Sequence, residues 1–185
     1  MNVVTDKTSW RVDDEIELRI VRPDDDEALF KQVDATRDQL VEYMPWAEDT
    51  KTAANERRFL KYCQKRIAAK ALWPVTILVN GEVAGMFDFH DFDHPNRHCS
   101  IGYWLGKEFQ HNGVMTRTVE AAVKIGFNEL KMHKINILAE VENASSNAVA
   151  VRCGFHLDGT LQDHIYSDGK FHNANIYSLV NEAEK

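Results

Sequence analysis

The chain has 185 residues, of which 44% are hydrophobic and 28% charged, with a net charge of −7 at pH 7. This size suits one globular domain, and the acidic balance argues against nucleic acid as a direct ligand, because phosphate binding needs a basic face. No apolar run approaches a membrane span and residues 1–14 hold no hydrophobic signal core, so we expect a cytoplasmic protein without membrane contact.

The N-terminal part predicts a short extension, a strand and two helices. Residues 1–15 are polar and should form a flexible extension, which leaves residues 16–185 as the single domain. Ile16–Ile20 alternates as a strand does. Pro23 ends this strand, and the acidic residues after it start a helix that runs to about Val33. A second short helix should follow before the next proline.

The rest of the chain alternates between helix and strand patterns. Asn80-Gly81 is the strongest hairpin signal, a two-residue turn inside an antiparallel meander. The later strand–helix–strand order favours a right-handed parallel crossover. The predicted elements are a helix over 52–71, strands over 75–79, 82–89 and 99–105, a helix over 114–130, a strand over 134–141, a helix over 145–152, and strands over 155–161 and 171–179.

The stretch from Cys99 to Thr116 leads from a buried strand through a glycine loop into a helix. Such a junction turns several backbone N–H groups and the positive end of the helix dipole towards one point, where a phosphate commonly binds. Neither a Walker loop nor a dinucleotide fingerprint is present. The candidate phosphate-binding residues are Gln110, His111, Asn112, Gly113, Val114, Met115 and Thr116.

A second motif follows about thirty residues later. It comprises Asn143-x-x-Ser146 with the run Asn147 to Ala150 and then Arg152-x-Gly154-Phe155, and it precedes a distal hairpin around residues 168–173. In this order, the loop, this motif and the hairpin resemble the GNAT superfamily of N-acetyltransferases, specifically its RimJ/RimL-type ribosomal-protein branch. Met115 stands where the broad family has Gly or Ala, which points to this branch. The resemblance covers residues 17–180.

The resemblance implies an α+β (α/β) fold of the GNAT type. We expect a mixed central sheet of about six to seven strands, with an antiparallel N-terminal meander, a parallel, splayed central pair and flanking helices. It also implies acetyl-CoA as co-substrate, with the pantetheine arm in the opening between the two parallel strands and no metal. A backbone N–H near Trp104 or Leu105 would polarise the thioester carbonyl.

Acetyl transfer also needs an acid for the leaving thiolate. The position of the family's usual tyrosine holds Ala150, and Ser146 matches the serine that replaces it in RimL-type enzymes. Asn143 matches the residue that orients the pantetheine. The alternative for Ser146 is a helix N-terminal hydroxyl without a catalytic part. No unambiguous base is present; His164 is the candidate, and an exposed strand histidine is the alternative.

The acceptor is the least specified part. Trp46 and Tyr103 are candidate acceptor-binding residues, although Trp46 is equally expected as an aromatic packed over the core. A neutral Lys side chain at neutral pH costs about 3 kcal/mol more than a neutral α-amine, so a site without a strong base suits an N-terminus. The resemblance implies the N-terminal α-amine of a ribosomal protein. A small amine (polyamine, aminoglycoside or amino-acid-like metabolite) and a non-catalytic CoA-binding module are the alternatives.

Two remaining features are of lesser weight. The His- and Asp-rich stretch 90–98 fits no zinc signature, so we expect a polar loop that lines the substrate groove or faces solvent. An exposed Trp10 or Phe92 would suit a homodimer interface, which the sequence does not require.

Overall fold

The computed structural model describes residues 7–184, which build one eight-stranded sheet in the order β1-β2-β3-β4-β5-β6-β8-β7. The strands are β1 (Ser9–Arg11), β2 (Ile16–Ile20), β3 (Trp73–Val79), β4 (Glu82–Asp93), β5 (His98–Leu105), β6 (Lys134–Glu140), β7 (His156–Ser167) and β8 (Lys170–Val180). The α-helices are α1 (Asp26–Tyr43), α2 (Trp46–Asp49), α3 (Ala53–Ala68), α4 (Val114–Asn128) and α5 (Ala144–Arg152). Within residues 7–184, no helix combines the length and apolarity that a bilayer span requires.

Strands β1 to β5 form the predicted antiparallel meander. Asn80 and Gly81 both have positive φ, at 50° and 83°, as a primed hairpin turn requires. Strand β4 continues past its predicted end at residue 89, because Asp93 still pairs with His98 of β5. The predicted polar loop after residue 89 is therefore mostly strand.

Helix α1 corrects a second prediction. It runs unbroken through 18 residues where the sequence predicted two helices. Its buried residues recur at helical spacing along the whole length, and neither Gly nor Pro interrupts it. They are Asp26, Leu29, Gln32, Val33, Thr36 and Leu40.

The predicted flexible extension over residues 1–15 is wrong for residues 9–11, which form β1. Trp10 is only 5% exposed, packs edge-on against Trp73 with ring centroids 5.5 Å apart, and donates a hydrogen bond to Glu129 Oε1 at 2.7 Å. This burial outweighs the polar composition around it. Trp10 is therefore not an exposed dimer residue, and β1 brings the sheet to eight strands instead of six to seven. Residues 1–6 lie outside the described residues.

The central parallel pair separates after three residues. His98, Cys99 and Ser100 of β5 pair with Lys134, Ile135 and Asn136 of β6. Beyond this point β6 pairs with β8 alone, along its full length. The implied GNAT architecture, with a splayed parallel pair in a mixed sheet, is confirmed.

The two faces of the sheet carry different helices. On one face, Ile101, Tyr103 and Leu105 of β5 belong to the core that includes residues of α4 and α5. On the other face, Trp104 packs with Met86 into the core formed with α1 and α3. Consecutive β5 residues therefore point to opposite sides of the sheet at the place where β5 and β6 part.

Asp158 ties β7 to two other strands. Its carboxylate accepts hydrogen bonds from Lys134 Nζ at 2.9 Å and Ser178 Oγ at 2.9 Å, and His156 Nδ1 lies 3.1 Å away. These contacts, with Lys134 first, lower the pKa of Asp158 from 3.8 to about 2.

Because the pKa of Asp158 is lower in the folded than in the unfolded state, its ionised carboxylate stabilises the fold at pH values above 3.8. This stabilisation is lost as the pH falls to about 2. We therefore expect Asp158→Asn to lower the urea midpoint of unfolding at neutral pH, with the difference from wild type vanishing at about pH 2. Equal midpoints at neutral pH would show that the Asp158 contacts do not stabilise the fold.

Candidate active site

A cleft of about 930 Å³ opens at the splay between β5 and β6. The end of β5, the loop into α4, the first turn of α5 and the C-terminal part of α1 form its walls. Most of the predicted site residues line it: Tyr103, Trp104, Leu105, Gln110, His111, Gly113, Val114, Met115, Thr116, Asn143 and Ser146.

The loop into α4 presents backbone donors to this cleft. Gly113 precedes the helix in the left-handed region at φ 70°, and His111 has φ 64°. The first N–H that bonds back into the helix is that of Arg117, to the Gly113 carbonyl at 3.1 Å. The preceding N–H groups of the first turn have no intrahelical acceptor, and this turn carries no acidic residue. An anionic group is therefore favoured here.

The side chains of the loop hold it in place. Gln110 Nε2 donates to the Leu105 carbonyl at 3.1 Å and to Gln39 Oε1 at 3.2 Å, which anchors the loop to β5 and α1. Asn112 is exposed and does not line the cleft; its carbonyl accepts a bond from Arg117 at 3.4 Å. Gln110 therefore positions the loop, and the donors to an anion are backbone groups.

Tyr103 and Ser146 meet across the cleft. Their hydroxyl oxygens lie 3.1 Å apart, and the Tyr103 hydroxyl is also 3.4 Å from the Ser146 carbonyl. Asn143 caps α5 by accepting the Ser146 N–H at 3.0 Å, which fixes the serine in the first turn. Burial raises the pKa of Tyr103 to about 12, although its bond with Ser146 acts in the opposite direction. The pair thus holds two protons at neutral pH.

Two predicted residues lie elsewhere. His164 is exposed on β7, the outermost strand, next to Asp163 with φ 48° in an irregular stretch of the β7–β8 pairing. The structure does not bring it to Ser146. Trp46 is 42% exposed at the start of α2, with its ring centroid 6.0 Å from that of Trp104. It therefore lies on the α1–α3 face of the sheet, outside the cleft lining.

The cleft also includes Arg152, which belongs to the second sequence motif but had no assigned role, and Tyr43, which sequence reasoning missed. Arg152 lines it from the end of α5, where it adds a positive charge next to Thr116, whose Oγ1 it approaches to 3.3 Å. Tyr43 closes the other end and donates to the Glu142 carbonyl at 3.4 Å. A bond with Glu42, then burial, raises the pKa of Tyr43 to about 12. Tyr43 and Glu142 are 99 residues apart, and nothing in the sequence pairs them.

One cluster in residues 7–184 has the geometry of a metal site. Ligand atoms of Glu140, Glu142 and His172 lie within 4.8 Å of one another. The buried Glu140 carboxylate already accepts a bond from Ser167 Oγ at 3.2 Å and lies 3.2 Å from His172 Nδ1. This network joins β6 to the β7–β8 hairpin, and it accounts for the positions of Glu140 and His172 without a metal ion.

Comparison with known proteins decides the family. Residues 15–156 match the family model described as the acetyltransferase (GNAT) domain. The chain belongs to the GNAT acetyltransferases. YdaF of Bacillus subtilis (strain 168), whose name assigns it provisionally to the ribosomal N-acetyltransferases, is 30% identical over 171 residues, which are 92% of this chain and 93% of YdaF.

Two solved structures extend this similarity to the whole fold. The microcin C7 self-immunity acetyltransferase MccE, in complex with acetyl-CoA and AMP, is 27% identical with a TM-score of 0.89 over 97% of this chain and 99% of MccE. RimL, a ribosomal α-N-protein acetyltransferase in complex with coenzyme A, is 25% identical with a TM-score of 0.89 over 94% of this chain and 98% of RimL.

This GNAT chain is therefore an N-acetyltransferase that uses acetyl-CoA. The cleft suits that co-substrate, because it combines an anion-binding helix terminus, the cationic Arg152 and a gap in the sheet beside two hydroxyls. The alternative of a non-catalytic module rested on Ala150 in place of a tyrosine. This argument loses weight, because Tyr103 places a phenol hydroxyl 3.1 Å from Ser146 Oγ.

Proposed function

We propose that this chain acetylates the N-terminal α-amine of a protein, with a ribosomal protein as the substrate class and the cytoplasm as the compartment. The observation that carries the proposal is the splay of β5 and β6, which opens the sheet beside the Tyr103–Ser146 pair. Such a gap lets an amine on one face of the sheet meet a thioester on the other face by direct attack in a ternary complex.

Each part of the cleft has a role in this proposal. The N–H groups of residues 113–116 hold the pyrophosphate, with Arg152 nearby. A backbone N–H near Trp104 or Leu105 polarises the carbonyl. Ser146 gives its proton to the leaving thiolate, and the Tyr103 hydroxyl, 3.1 Å away, supports the serine oxygen as it loses that proton.

The acceptor class is supported by charge and by the relatives. Carboxylates of Glu42, Glu140 and Glu142 raise the pKa of Tyr43 at one end of the cleft, after its hydrogen bond with Glu42 and its burial. That end therefore attracts a cationic amine. RimL is named an α-N-protein acetyltransferase, and an α-amine reaches its neutral form more readily than a lysine side chain.

A small amine is the second candidate. The same acidic end of the cleft would hold a cationic polyamine. This candidate shares the acetyl-CoA site and differs only in the acceptor.

The test is CoA release from acetyl-CoA with a matched acceptor panel. The panel pairs basic peptides that carry a free N-terminus with the same peptides blocked at the N-terminus and carrying one lysine, and adds spermidine and an aminoglycoside. We expect release with free N-termini to exceed release with blocked peptides about 100-fold, since the neutral fraction of an α-amine is larger by this order at neutral pH. Release with spermidine or the aminoglycoside alone would replace the protein acceptor by a small amine.

A further inference from the structure

The face of the sheet opposite Tyr103 and Ser146 carries a histidine at the splay. A Cβ added to Gly102 would lie 3.3 Å from His90 Cε1 and 3.8 Å from Asp88 Oδ2, so the imidazole lies across this glycine. Gly102 is two residues beyond Ser100, the last β5 residue that pairs with β6. His90 therefore lies on β4 at the level where the gap between β5 and β6 begins, with its ring over Gly102 and just outside the residues that line the cleft.

Asp88 fixes the orientation of this ring. His90 Nδ1 lies 2.6 Å from Asp88 Oδ1, and the two side chains are 34% and 26% exposed. When the Nδ1–H donates to the carboxylate, the lone pair of the neutral ring is on Nε2. The nearest carboxylate to Nε2 is that of the exposed Asp91, at 3.7 Å, which is beyond hydrogen-bond distance. The Nε2 lone pair is therefore available to accept a proton from the amine substrate.

The same face holds buried polar atoms that lack partners among residues 7–184. Trp104 Nε1 and Asn136 Oδ1 are both buried and form no hydrogen bond there. Trp104 follows Gly102 on the same face of β5, and Asn136 is the β6 partner of Ser100. Unpaired buried polar atoms are rare because they cost free energy. The Trp104 Nε1–H donor and the Asn136 Oδ1 acceptor, which lie near Gly102, therefore indicate that a polar ligand binds here.

We propose that His90, oriented by Asp88, is the base that accepts a proton from the acceptor amine. The assignment rests on the proposed transfer to an amine. The amine nitrogen attacks the carbonyl carbon, the C–N bond forms and the C–S bond breaks. Of the two protons that the ammonium loses, one goes to His90 Nε2 and then to solvent. The other replaces the proton that Ser146 gives to the thiolate on the opposite face.

The charges around His90 suit this role. Burial acts to lower the pKa of His90, but the hydrogen bond and charge of Asp88, with the charge of Asp91, raise it above its ordinary 6.5. Strand β5 faces the ring with Ser100 and Gly102, which do not titrate. Helix α3 contributes Cys63 near Asp88; burial above all raises the pKa of this thiol to about 12, so it stays neutral. Glu56 of the same helix acts on Cys63, and burial, then the charge of Asp26, raises the pKa of Glu56 to about 7. A base with a raised pKa is better matched to an α-amine.

His90→Gln tests the assignment against His94→Gln. His94 lies four residues after His90, is exposed and stacks on Phe92. Its substitution therefore controls for the loss of a histidine from the same segment. For the best acceptor, we expect His90→Gln to lower kcat/KM about 100-fold at neutral pH, with acetyl-CoA affinity unchanged. The loss should shrink as the pH approaches the pKa of the amine, and His94→Gln should match wild type.

Asp88→Asn gives a second measurement, which should not change if His90 had only a structural role. Because Asp88 raises the pKa of His90, its loss should shift the acidic limb of the kcat/KM profile to lower pH. A His90→Gln enzyme within two-fold of wild type, or an Asp88→Asn enzyme whose acidic limb stays in place, would overturn the base assignment alone. If wild type itself released no CoA with any amine, the proposed function would fail as well.

Discussion

Ser146→Ala is expected to lower kcat about 100-fold and to leave the affinity for acetyl-CoA unchanged. The Ser146 hydroxyl is the group that the α5 cap presents to the cleft, 3.1 Å from the Tyr103 hydroxyl, and no other described residue donates to its oxygen. In the proposed mechanism, the thiolate of this variant leaves without a proton donor. Steady-state CoA release and calorimetric titration of acetyl-CoA, on the same preparation, measure the two quantities.

Two further variants show whether the effect belongs to the hydroxyl pair. Tyr103→Phe keeps the ring and removes only the phenol, so we expect a smaller loss, about 10-fold, because Ser146 can still donate. Ser145→Ala changes the adjacent serine in the same turn of α5, which also lines the cleft but is not the partner of Tyr103, and it should retain wild-type kcat. An unchanged kcat in Ser146→Ala would reduce Ser146 to a helix N-terminal hydroxyl.

Met115→Glu is expected to weaken acetyl-CoA binding by about 100-fold or more while it leaves the fold intact or slightly more stable. Met115 is half-buried in the first turn of α4 and lines the cleft. A carboxylate at a helix N-terminus interacts favourably with the helix dipole, but here it would also repel a bound pyrophosphate. Stability and affinity should therefore change in opposite directions.

The neutral variant Met115→Gln is the matched control for size. It keeps the length of the side chain and adds no charge, so its dissociation constant should stay within a few-fold of the wild-type value. Calorimetry gives the affinities, and urea unfolding gives the stabilities. If both variants lost affinity equally, packing and not charge would explain the effect, and the assignment of this turn to the pyrophosphate would lose its support.

The parts of the site that the sequence predicted are local ones. Gly113 before a helix and Asn143 three residues before Ser146 are patterns whose geometry follows from nearby residues, and both lie as expected. The parallel pairing of β5 and β6 followed from strand order, and their splay from the resemblance alone. Side chains brought together by the sheet were harder to predict. Tyr103 and Ser146 are 43 residues apart in the chain, and only the β5–α5 packing brings them together.

The segment around His90 shows the same limit. Its alternation of histidine, aspartate and phenylalanine is dense in charge, so we predicted a loop, yet Phe89 is buried on one face while Asp88 and His90 lie on the other. The alternation of buried phenylalanines with polar residues is the period-two signal of a half-buried strand, and the density of charge obscured it. For His164, the position in the chain suggested a base near the site. The pairing of β7 with β8 is irregular there, and His164 is exposed on the outermost strand.

Amide NMR shifts during titration with acetyl-CoA test the location of the co-substrate most directly. We expect the largest changes at the N–H groups of residues 113–116, which lack intrahelical acceptors, and along β5 from Gly102 to Leu105 beside the splay. The β7–β8 hairpin near His164 should change little. Saturable binding with unchanged shifts at 113–116 and in β5 would place acetyl-CoA elsewhere and contradict this account.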